Sequence, residues 1–361
     1  MVEDQIEEAL GDLPPSAKLV YKVLEYNHHL PQKKLVEKSR LSTRTLRYAL
    51  NELEDAGLVE SRPGLYDARQ TCYSIAADVD GAGPGQGPLV APESIEERLA
   101  AFERDEPAER LVFVASEGSP EAYVPGSVEL DLGEGPVDPT RQRIPDREEV
   151  EGLFGDLGIT QDSRVVLYDD QGGLYAGYVY WILAYYGHGD QQLLDGGLDY
   201  WVEAGLPTAP EAAAVPHAEY TARGEFTDVR AHRDDVVDAL TRDTVLLDVR
   251  DPSEIRGEAG GGADLSAAAN AAGHIPGAIN VPSVDLLADD GRLRPSEDLA
   301  ERFESAGVTR GHPVIVYCGV GARSALVWFV LSELLDYPDV RNYDGSWTEW
   351  GNLVDVPVES E

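Results

Sequence analysis

Cys318 stands at the junction of a predicted strand and a predicted helix. The strand, residues 312–318, runs into a glycine-bearing turn at 319–321, and an apolar helical run follows at 325–335. A turn that opens a helix directs several backbone N–H groups at one point. A sulfur atom at that point is stabilised as its anion and becomes a nucleophile. The alternative, a small buried residue at the end of a core strand, stays open at this stage.

The chain is strongly acidic. Its 361 residues include 67 Asp and Glu against 29 Lys and Arg, for a formal net charge of −38, and 42% of them are hydrophobic. Disorder requires low hydrophobicity as well as charge, so the composition indicates a folded protein solvated for high salt and predicts a halophilic source. Two cysteines exclude a disulfide framework. We find no signal peptide and no long apolar run, which predicts a cytoplasmic protein without a membrane partner.

Two segments rich in glycine, proline or alanine divide the chain. Residues 79–87 form a Gly/Pro linker, and residues 209–219 form a second linker. The predicted domains are therefore a head at 1–78, a first α/β domain at 88–208 and a second at 220–361.

The two larger domains are copies of one another. Residues 165–169 and 194–201 resemble residues 314–318 and 343–350, and both pairs are separated by 149 positions. A constant separation indicates a tandem domain repeat. Each copy alternates continuous apolar strands with helical runs, which predicts a doubly wound α/β domain with its site at the carboxyl ends of parallel strands.

The repeats resemble the rhodanese family, specifically the tandem-domain thiosulfate sulfurtransferases. Four segments of the second repeat carry the resemblance in the family's order: 247–250, 273–282, 317–324 and 342–350. The resemblance implies a multi-domain protein with two rhodanese-like α/β domains built on central parallel sheets. In that family the second domain carries the nucleophile and the first is usually inactive. The sequence agrees, because Asp169 stands opposite Cys318 and Leu174 stands opposite Arg323.

The resemblance implies a two-step exchange at Cys318 that needs no metal or organic cofactor. The thiolate takes the outer sulfur of thiosulfate, sulfite leaves, and a thiol or cyanide removes the sulfur from the persulfide. The loop that holds the persulfide comprises Gly319, Val320, Gly321, Ala322, Arg323 and Ser324. Gly319 and Gly321 are expected at positive φ, which would bring the backbone close to the sulfur.

Supporting roles follow for the neighbouring motifs. We expect Arg323 either to hold the substrate anion or to form a bidentate pair with Asp248, and we favour the pair. Arg250 is expected at the mouth of the site, and His274 is expected to be a structural loop residue. The two tryptophans of the last motif, Trp347 and Trp350, are expected in an interdomain core.

The loop sequence leaves the sulfur donor open. Relatives that use thiosulfate often carry a basic residue where this chain has Gly319, and relatives that use 3-mercaptopyruvate usually continue Cys-Gly with Ser-Gly-Val-Thr. Here Gly-Val-Gly-Ala-Arg matches neither pattern in full. The loop between Cys318 and Arg323 is one residue shorter than that of related phosphatases, which argues against phosphate as substrate.

The head resembles the winged helix-turn-helix transcription regulators. Residues 17–24, 32–39 and 43–56 are predicted helices, and residues 58–61 and 71–75 form a predicted hairpin. Residues 14–75 carry 10 Lys and Arg against 7 Asp and Glu, so this segment is basic within an acidic chain.

The winged-helix resemblance implies a DNA-binding surface. Ser42, the predicted N-cap of the third helix, would face the major groove together with Thr43, Arg44, Arg47 and Tyr48. Arg62 and Arg69 in the wing would meet phosphates. The alternative is a head used for protein contact or dimerisation. High salt and the acidic body both weaken binding to phosphates, so a homodimer or a high-affinity site would be required.

Two hypotheses for the whole chain result. In the first, it is a sulfurtransferase with a fused head, whose partners are a small-molecule sulfur donor and a thiol or cyanide acceptor. In the second, it is a DNA-binding regulator in which Cys318 senses sulfane sulfur.

Overall fold

The computed structural model describes residues 10, 13–25, 29–64, 67–75, 87–102, 109–116, 118–133, 144–256, 269 and 271–360. The chain forms two compact units, Met1–Gly87 and Pro88–Glu361. All of the predicted linker except residue 87 lies outside the described residues, and so does most of the Gly/Ala-rich insertion at 257–272. None of the helices in the described ranges is long and apolar enough to cross a membrane.

Among its described residues, the first unit has the three helices named below and a small antiparallel sheet. Its elements are α1 (Pro15–Glu25), β1 (His29–Pro31), α2 (Gln32–Ser39), α3 (Thr43–Asp55), β2 (Val59–Gly64) and β3 (Asp67–Ile75), with strand order β1-β3-β2. The predicted N-cap of α3 is confirmed, since Thr45 N–H donates to Ser42 Oγ at 3.1 Å. Leu46, Leu50 and Leu53 of α3 are buried in the core of this unit, as their helical spacing predicts.

The hairpin of the first unit differs from the prediction. β2 and β3 pair from Val59 opposite Ile75 to Gly64 opposite Asp67, so the strands are longer than expected. Arg62 and Arg69 therefore lie on strands rather than in the connecting loop. His29 begins strand β1, where it stands opposite Ser74 of β3.

The first repeat is built on a five-stranded parallel sheet with strand order β4-β8-β7-β5-β6. Its strands are β4 (Leu89–Val90), β5 (Glu109–Ala115), β6 (Val128–Asp131), β7 (Arg164–Tyr168) and β8 (Gln191–Leu194). Its helices are α4 (Pro92–Glu96), α5 (Leu99–Phe102), α6 (Arg147–Asp156), α7 (Leu174–Tyr185) and α8 (Gly197–Glu203). Central strands β5 and β7 are buried along nearly their whole length, as continuous apolar strands of a parallel sheet should be.

The second repeat has a four-stranded parallel sheet with strand order β10-β9-β11-β12. Its strands are β9 (Val245–Asp248), β10 (Ile279–Asn280), β11 (Val314–Tyr317) and β12 (Val340–Asn342). Its helices are α9 (Arg233–Ala239), α10 (Pro252–Ile255), α11 (Ser296–Ser305), α12 (Ala322–Phe329) and α13 (Ser346–Trp350), and α12 continues into a π-helical turn at Val330–Leu334. The predicted parallel α/β fold of both repeats is confirmed.

The two repeats pack together through corresponding helices. α7 and α12 each follow the central strand of their own sheet, and the small Gly177 allows close approach because a Cβ there would lie 3.0 Å from Leu326 Cα. The rings of Tyr180 and Phe329 meet edge to face with centroids 4.9 Å apart. Apolar burial and an aromatic contact thus join α7 to α12, the helices that follow Asp169 and Cys318 in the chain.

The tryptophans of the last motif lie within one repeat. Trp347 and Trp350 are buried with Tyr317 and Tyr343 in a core formed entirely by residues of the second repeat. Their indole N–H groups donate to backbone carbonyls of the same repeat, at 3.1 and 3.0 Å. The expectation of an interdomain core was wrong, because α13 turns its aromatic face back onto its own sheet.

Candidate active site

Cys318 follows β11 directly and is 1% exposed. Its Sγ lies 3.2 Å from the backbone nitrogen of Gly321 and 3.5 Å from Ser324 Oγ, and both groups are placed to donate to it. The turn ends at Gly321, the N-cap of α12, so the sulfur sits at the beginning of that helix. Free N–H groups at a helix start favour a negative charge there.

Gly321 is the residue that shapes the turn. Its φ is 92°, and a Cβ at this position would lie 2.7 Å from the carbonyl oxygen of Asp344. Gly319 has no positive φ, so that part of the prediction was wrong. Thr348 N–H instead donates to the carbonyl of Gly319 at 3.0 Å, and the left-handed bend occurs only at Gly321.

Substituting Gly321 with alanine should lower the free energy of unfolding by about 3 kcal/mol, since a left-handed conformation and a steric clash with Asp344 act together. Gly205→Ala is the matched control, because Gly205 has a φ of 70° with nothing within 4 Å. The control should lose only about 1 kcal/mol. Chemical denaturation of both variants measures the difference, and equal losses would show that the contact with Asp344 is unimportant.

Arg323 pairs with a carboxylate that the sequence reasoning did not select. Its two Nη atoms donate to the two carboxylate oxygens of Glu254 at 2.6 and 2.9 Å. The expected pair with Asp248 was therefore wrong. Glu254 lies in the short helix α10, whose N-cap Asp251 forms a capping box with it. That Asp-x-x-Glu pattern was the available signal, but it indicates a helix start rather than the partner of Arg323.

Asp248 and Arg250 form a buried pair of their own. Arg250 Nη2 lies 2.7 Å from Asp248 Oδ2, and both side chains are 1% exposed. Arg250 also donates to the carbonyl of Gly273 at 2.9 Å and lies 4.6 Å from the ring centroid of Trp347. Arg250 is thus part of the core and does not face the mouth of the site, contrary to expectation. Its role is to stiffen the end of β9 beside Cys318.

The environment lowers the pKa of the Cys318 thiol below its ordinary value of 9.0. Burial raises the pKa, since it disfavours the thiolate. The guanidinium of Arg323, together with hydrogen bonds from Ser324 and Val320, outweighs that effect. The site can therefore hold a thiolate near neutral pH more readily than an ordinary buried cysteine.

The first repeat carries a carboxylate where the second carries the thiol. Asp169 follows β7, is fully buried, and accepts four backbone N–H bonds of 2.8 to 2.9 Å. The donors belong to residues 171, 173, 175 and 176, in the turn and first residues of α7. Leu174 begins α7, so no cation corresponds to Arg323. This turn therefore binds a carboxyl group that belongs to the chain itself. Burial raises the pKa of Asp169, and the four N–H bonds oppose that rise by favouring the charged form.

A model of the rhodanese-like domain matches residues 104–204 and 232–353. The chain belongs to the rhodanese family. The two matched segments fall in the two repeats, and the second contains Cys318 and its turn.

Named relatives cover both repeats of this rhodanese. A protein of Haloferax volcanii, named "Putative thiosulfate sulfurtransferase", is 42% identical over 273 residues, which is 75% of this chain and 96% of the relative. The "Sulfur carrier protein TtuD" of Thermus thermophilus is 40% identical over 241 residues, which is 65% of this chain and 85% of the relative.

The fold also occurs in a solved structure of lower sequence similarity. The anaerobic ergothioneine biosynthesis enzyme of Chlorobium limicola, solved with trimethyl histidine, aligns with a TM-score of 0.66 and 24% identity. The alignment covers 76% of this chain and 70% of that enzyme. At this identity the likeness concerns the fold alone.

Ser346 is a residue of the site that sequence reasoning missed. Its Oγ accepts from Cys318 N–H at 3.1 Å and donates to the carbonyl of Tyr343 at 2.8 Å. It adopts a φ of 52°, which is uncommon for a residue with a side chain. The corresponding residue of the first repeat is Gly197, with a φ of 57°. The replacement of this glycine by serine in the second repeat was the sequence signal that could have identified Ser346.

The other predicted loop residues lie around the same turn. Val320 and Ala322 are buried, and His274 forms a backbone bridge to Glu359, as expected for a structural loop residue. Ser324 Oγ also lies 3.1 Å from the carbonyl oxygen of Gly321, which is the alternative acceptor for its single hydroxyl proton.

Alkylation of Cys318 should follow a titration with a midpoint below pH 9.0, because the thiolate is the reacting form. Arg323→Leu should move the midpoint upward, since the variant removes the positive charge that favours the thiolate. Alkylation rates with iodoacetamide between pH 5 and pH 10, with intact mass as readout, measure both midpoints. Coincident midpoints for wild type and variant would contradict the role given to Arg323.

The predicted DNA-facing residues of the head are exposed at the start of α3. Tyr48 is 55% exposed, and Ser42, Thr43, Arg44 and Arg47 are also exposed.

Proposed function

We propose that this rhodanese is a sulfurtransferase that moves sulfane sulfur from thiosulfate to a thiol or cyanide through a persulfide on Cys318. The Cys318 thiolate attacks the outer sulfur of thiosulfate, the S–S bond of the donor breaks, and sulfite leaves with the electron pair. An acceptor thiolate then attacks the outer sulfur of the persulfide and returns Cys318 to its thiolate. Covalent transfer of this kind divides one exchange into two simpler displacements.

The observation that carries the proposal is the Asp169 turn of the first repeat. A carboxylate oxygen lies two bonds beyond Cβ, and the outer sulfur of a persulfide also lies two bonds beyond Cβ. Asp169 is therefore a built-in analogue of a persulfide, already bound by four N–H groups. At the 149-residue offset the corresponding N–H groups of the second repeat are those of residues 320, 322, 324 and 325. Ala325 N–H donates to the carbonyl of Gly321 at 3.2 Å, so we assign the persulfide to the other three.

The names of the relatives support the same class of reaction. Thiosulfate as donor agrees with the name of the Haloferax volcanii protein, and transfer to another thiol agrees with the name of the Thermus thermophilus protein. 3-Mercaptopyruvate is the alternative donor, since relatives that use it also have Cys-Gly, whereas relatives that use thiosulfate often carry a basic residue at the position of Gly319.

Sulfur transfer is tested by steady-state assays at molar KCl with thiosulfate and then 3-mercaptopyruvate as donor. Turnover that depends on Cys318, with a mass increase of one sulfur atom on the enzyme between the two half-reactions, would support the proposal. A folded sample that neither turns over nor gains a sulfur atom from either donor would reject it.

A second candidate function rests on the head. We propose that the first unit is a winged helix-turn-helix that binds DNA through the exposed start of α3, with Arg62 and Arg69 at phosphates. The carrying observation is the exposure of Arg44, Arg47 and Tyr48 on a helix with a side-chain N-cap. In this reading the Cys318 persulfide changes the affinity for DNA, and the chain acts as a regulator in the cytoplasm, as a homodimer.

Anisotropy titrations with duplex DNA test the regulator. Reduced and persulfidated protein are compared, with Arg44→Ala/Arg47→Ala as the variant of the proposed surface. The proposal requires binding that weakens in the variant and differs between the two forms of the protein. Identical isotherms for the reduced and persulfidated protein would leave the head without a sensing role.

A further inference from the structure

We infer that the Cys318 site selects a sulfane-sulfur donor with one negative charge, such as an organic thiosulfonate (R–SO₂–S⁻), over the dianion thiosulfate. The inference rests on the proposed sulfurtransferase function and ranks its donors by charge: thiosulfate is still a donor, with a lower kcat/KM than a thiosulfonate. It follows from how the arginines around the turn are paired.

The guanidinium in the turn is already neutralised. Both Nη atoms of Arg323 are held by Glu254 at 2.6 and 2.9 Å, and both side chains of the pair are 16% exposed. A bidentate pair in a partly buried position holds its geometry and has no net charge to offer a second anion. The guanidinium of Arg323 is close enough to Cys318 to stabilise its thiolate. At the greater distance of an incoming donor, the opposite charge of Glu254 largely cancels that of Arg323.

The arginines behind the turn are paired in the same way. Arg250 is matched by Asp248 and is 1% exposed. Arg230 forms two bonds of 2.8 Å to the carboxylate of Asp344, whose backbone lies against Gly321. Each of these arginines has one carboxylate partner, so the three pairs carry no net formal charge before Cys318 ionises.

The side chains of the turn add no charge. Gly319, Val320, Gly321 and Ala322 are uncharged, and the N–H group of Gly321 is placed to donate to the sulfur of Cys318. When thiosulfate meets the thiolate, three negative charges share this neutral site. A thiosulfonate brings one charge fewer, because the thiolate attacks its sulfane sulfur, the S–S bond breaks, and a monoanionic sulfinate leaves with the electron pair. The thiolate repels the extra charge of thiosulfate, and none of these three paired arginines has an uncompensated charge to offset that repulsion.

The test compares benzenethiosulfonate with thiosulfate as donor, at one fixed ionic strength, in four proteins. These are the wild type, Gly319→Arg, Glu254→Gln and the uncharged control Gly319→Gln. Gly319 does not have a positive φ, so a side chain there is free of left-handed strain. Glu254→Gln keeps an oxygen for Arg323 while it exposes the arginine charge.

We expect the wild type to show a kcat/KM for the thiosulfonate at least about tenfold above that for thiosulfate. Gly319→Arg and Glu254→Gln should each reduce this preference by about tenfold, whereas Gly319→Gln should leave it unchanged. The two donors differ intrinsically because sulfinate and sulfite are different leaving groups. This difference cancels when the ratio of the two kcat/KM values is compared between one protein and another.

Two outcomes would overturn the inference, and they are distinguishable. Persulfide formation from both donors, with a ratio that is the same in all four proteins, would reject charge selection and leave the sulfurtransferase function intact. Absence of a Cys318 persulfide with either donor would reject the proposed function and the inference with it. If Gly319→Arg fails to fold, Glu254→Gln alone decides between these results.

Discussion

Replacing Cys318 with serine is expected to lower kcat/KM for sulfur transfer by roughly 10⁴-fold or more, to the level of the reaction without enzyme. A serine hydroxyl keeps the size of the thiol and its place beside the N–H of Gly321, but it ionises only at far higher pH and forms no persulfide. The measurement is the steady-state rate of thiosulfate consumption with cyanide as acceptor. Intact mass spectrometry after the first half-reaction shows whether sulfur is bound.

The matched control for this variant is Cys72→Ser, which removes the other cysteine of the chain. The control should retain wild-type turnover and still gain one sulfur atom. Turnover that survives Cys318→Ser but falls in Cys72→Ser would move the nucleophile to the head and reject the assignment. Equal circular dichroism spectra of the three proteins are required before the rates are compared.

Replacing Arg250 with methionine is expected to destabilise the protein by about 3–5 kcal/mol. The variant leaves the carboxylate of Asp248 buried without its cation, and Asp248 is 1% exposed. It also removes the donor to the carbonyl of Gly273 and the guanidinium above the Trp347 ring. Chemical denaturation at constant salt measures the change in the free energy of unfolding.

Two controls separate the buried charge from the lost packing. Asp248→Asn/Arg250→Met removes both charges and should recover part of the loss, because no unpaired ion stays buried. Arg242→Met breaks the exposed pair with Asp238, whose side chains are 68% and 58% exposed, and should cost less than about 1 kcal/mol. If the buried and exposed substitutions cost the same, the Asp248–Arg250 pair does not stabilise the end of β9.

These two predictions concern different parts of one arrangement. Cys318 supplies the reacting atom, and the Asp248–Arg250 pair holds the strand end beside it, since β9 pairs with β11. A variant of Arg250 that folds should therefore keep the nucleophile but lose some of the precision of the turn. We expect its kcat/KM to fall by less than that of Cys318→Ser.

The features that we could predict from the sequence depend on the order of residues within short segments of the chain. A buried strand, a glycine turn and a helix are contiguous, so the position of Cys318 at a helix start follows from the residues between 312 and 335. The tandem repeat could also be predicted, because it is found by comparing one segment of the sequence with another. The parallel sheets followed from continuous apolar strands, which need burial on both faces.

The pairing of charged groups could not be predicted from the sequence, because it depends on contacts between distant segments of the folded chain. Arg323 pairs with Glu254, 69 residues away, and not with Asp248. Asp248, at the end of β9, is bound by Arg250, whereas Glu254 of α10 lies within reach of Arg323. Trp347 and Trp350 entered the core of their own repeat, and Ser346 reached the backbone of Cys318. Side chains from distant segments form pairs according to their distance and orientation in the folded protein. Residue type and spacing along the sequence do not specify these distances and orientations.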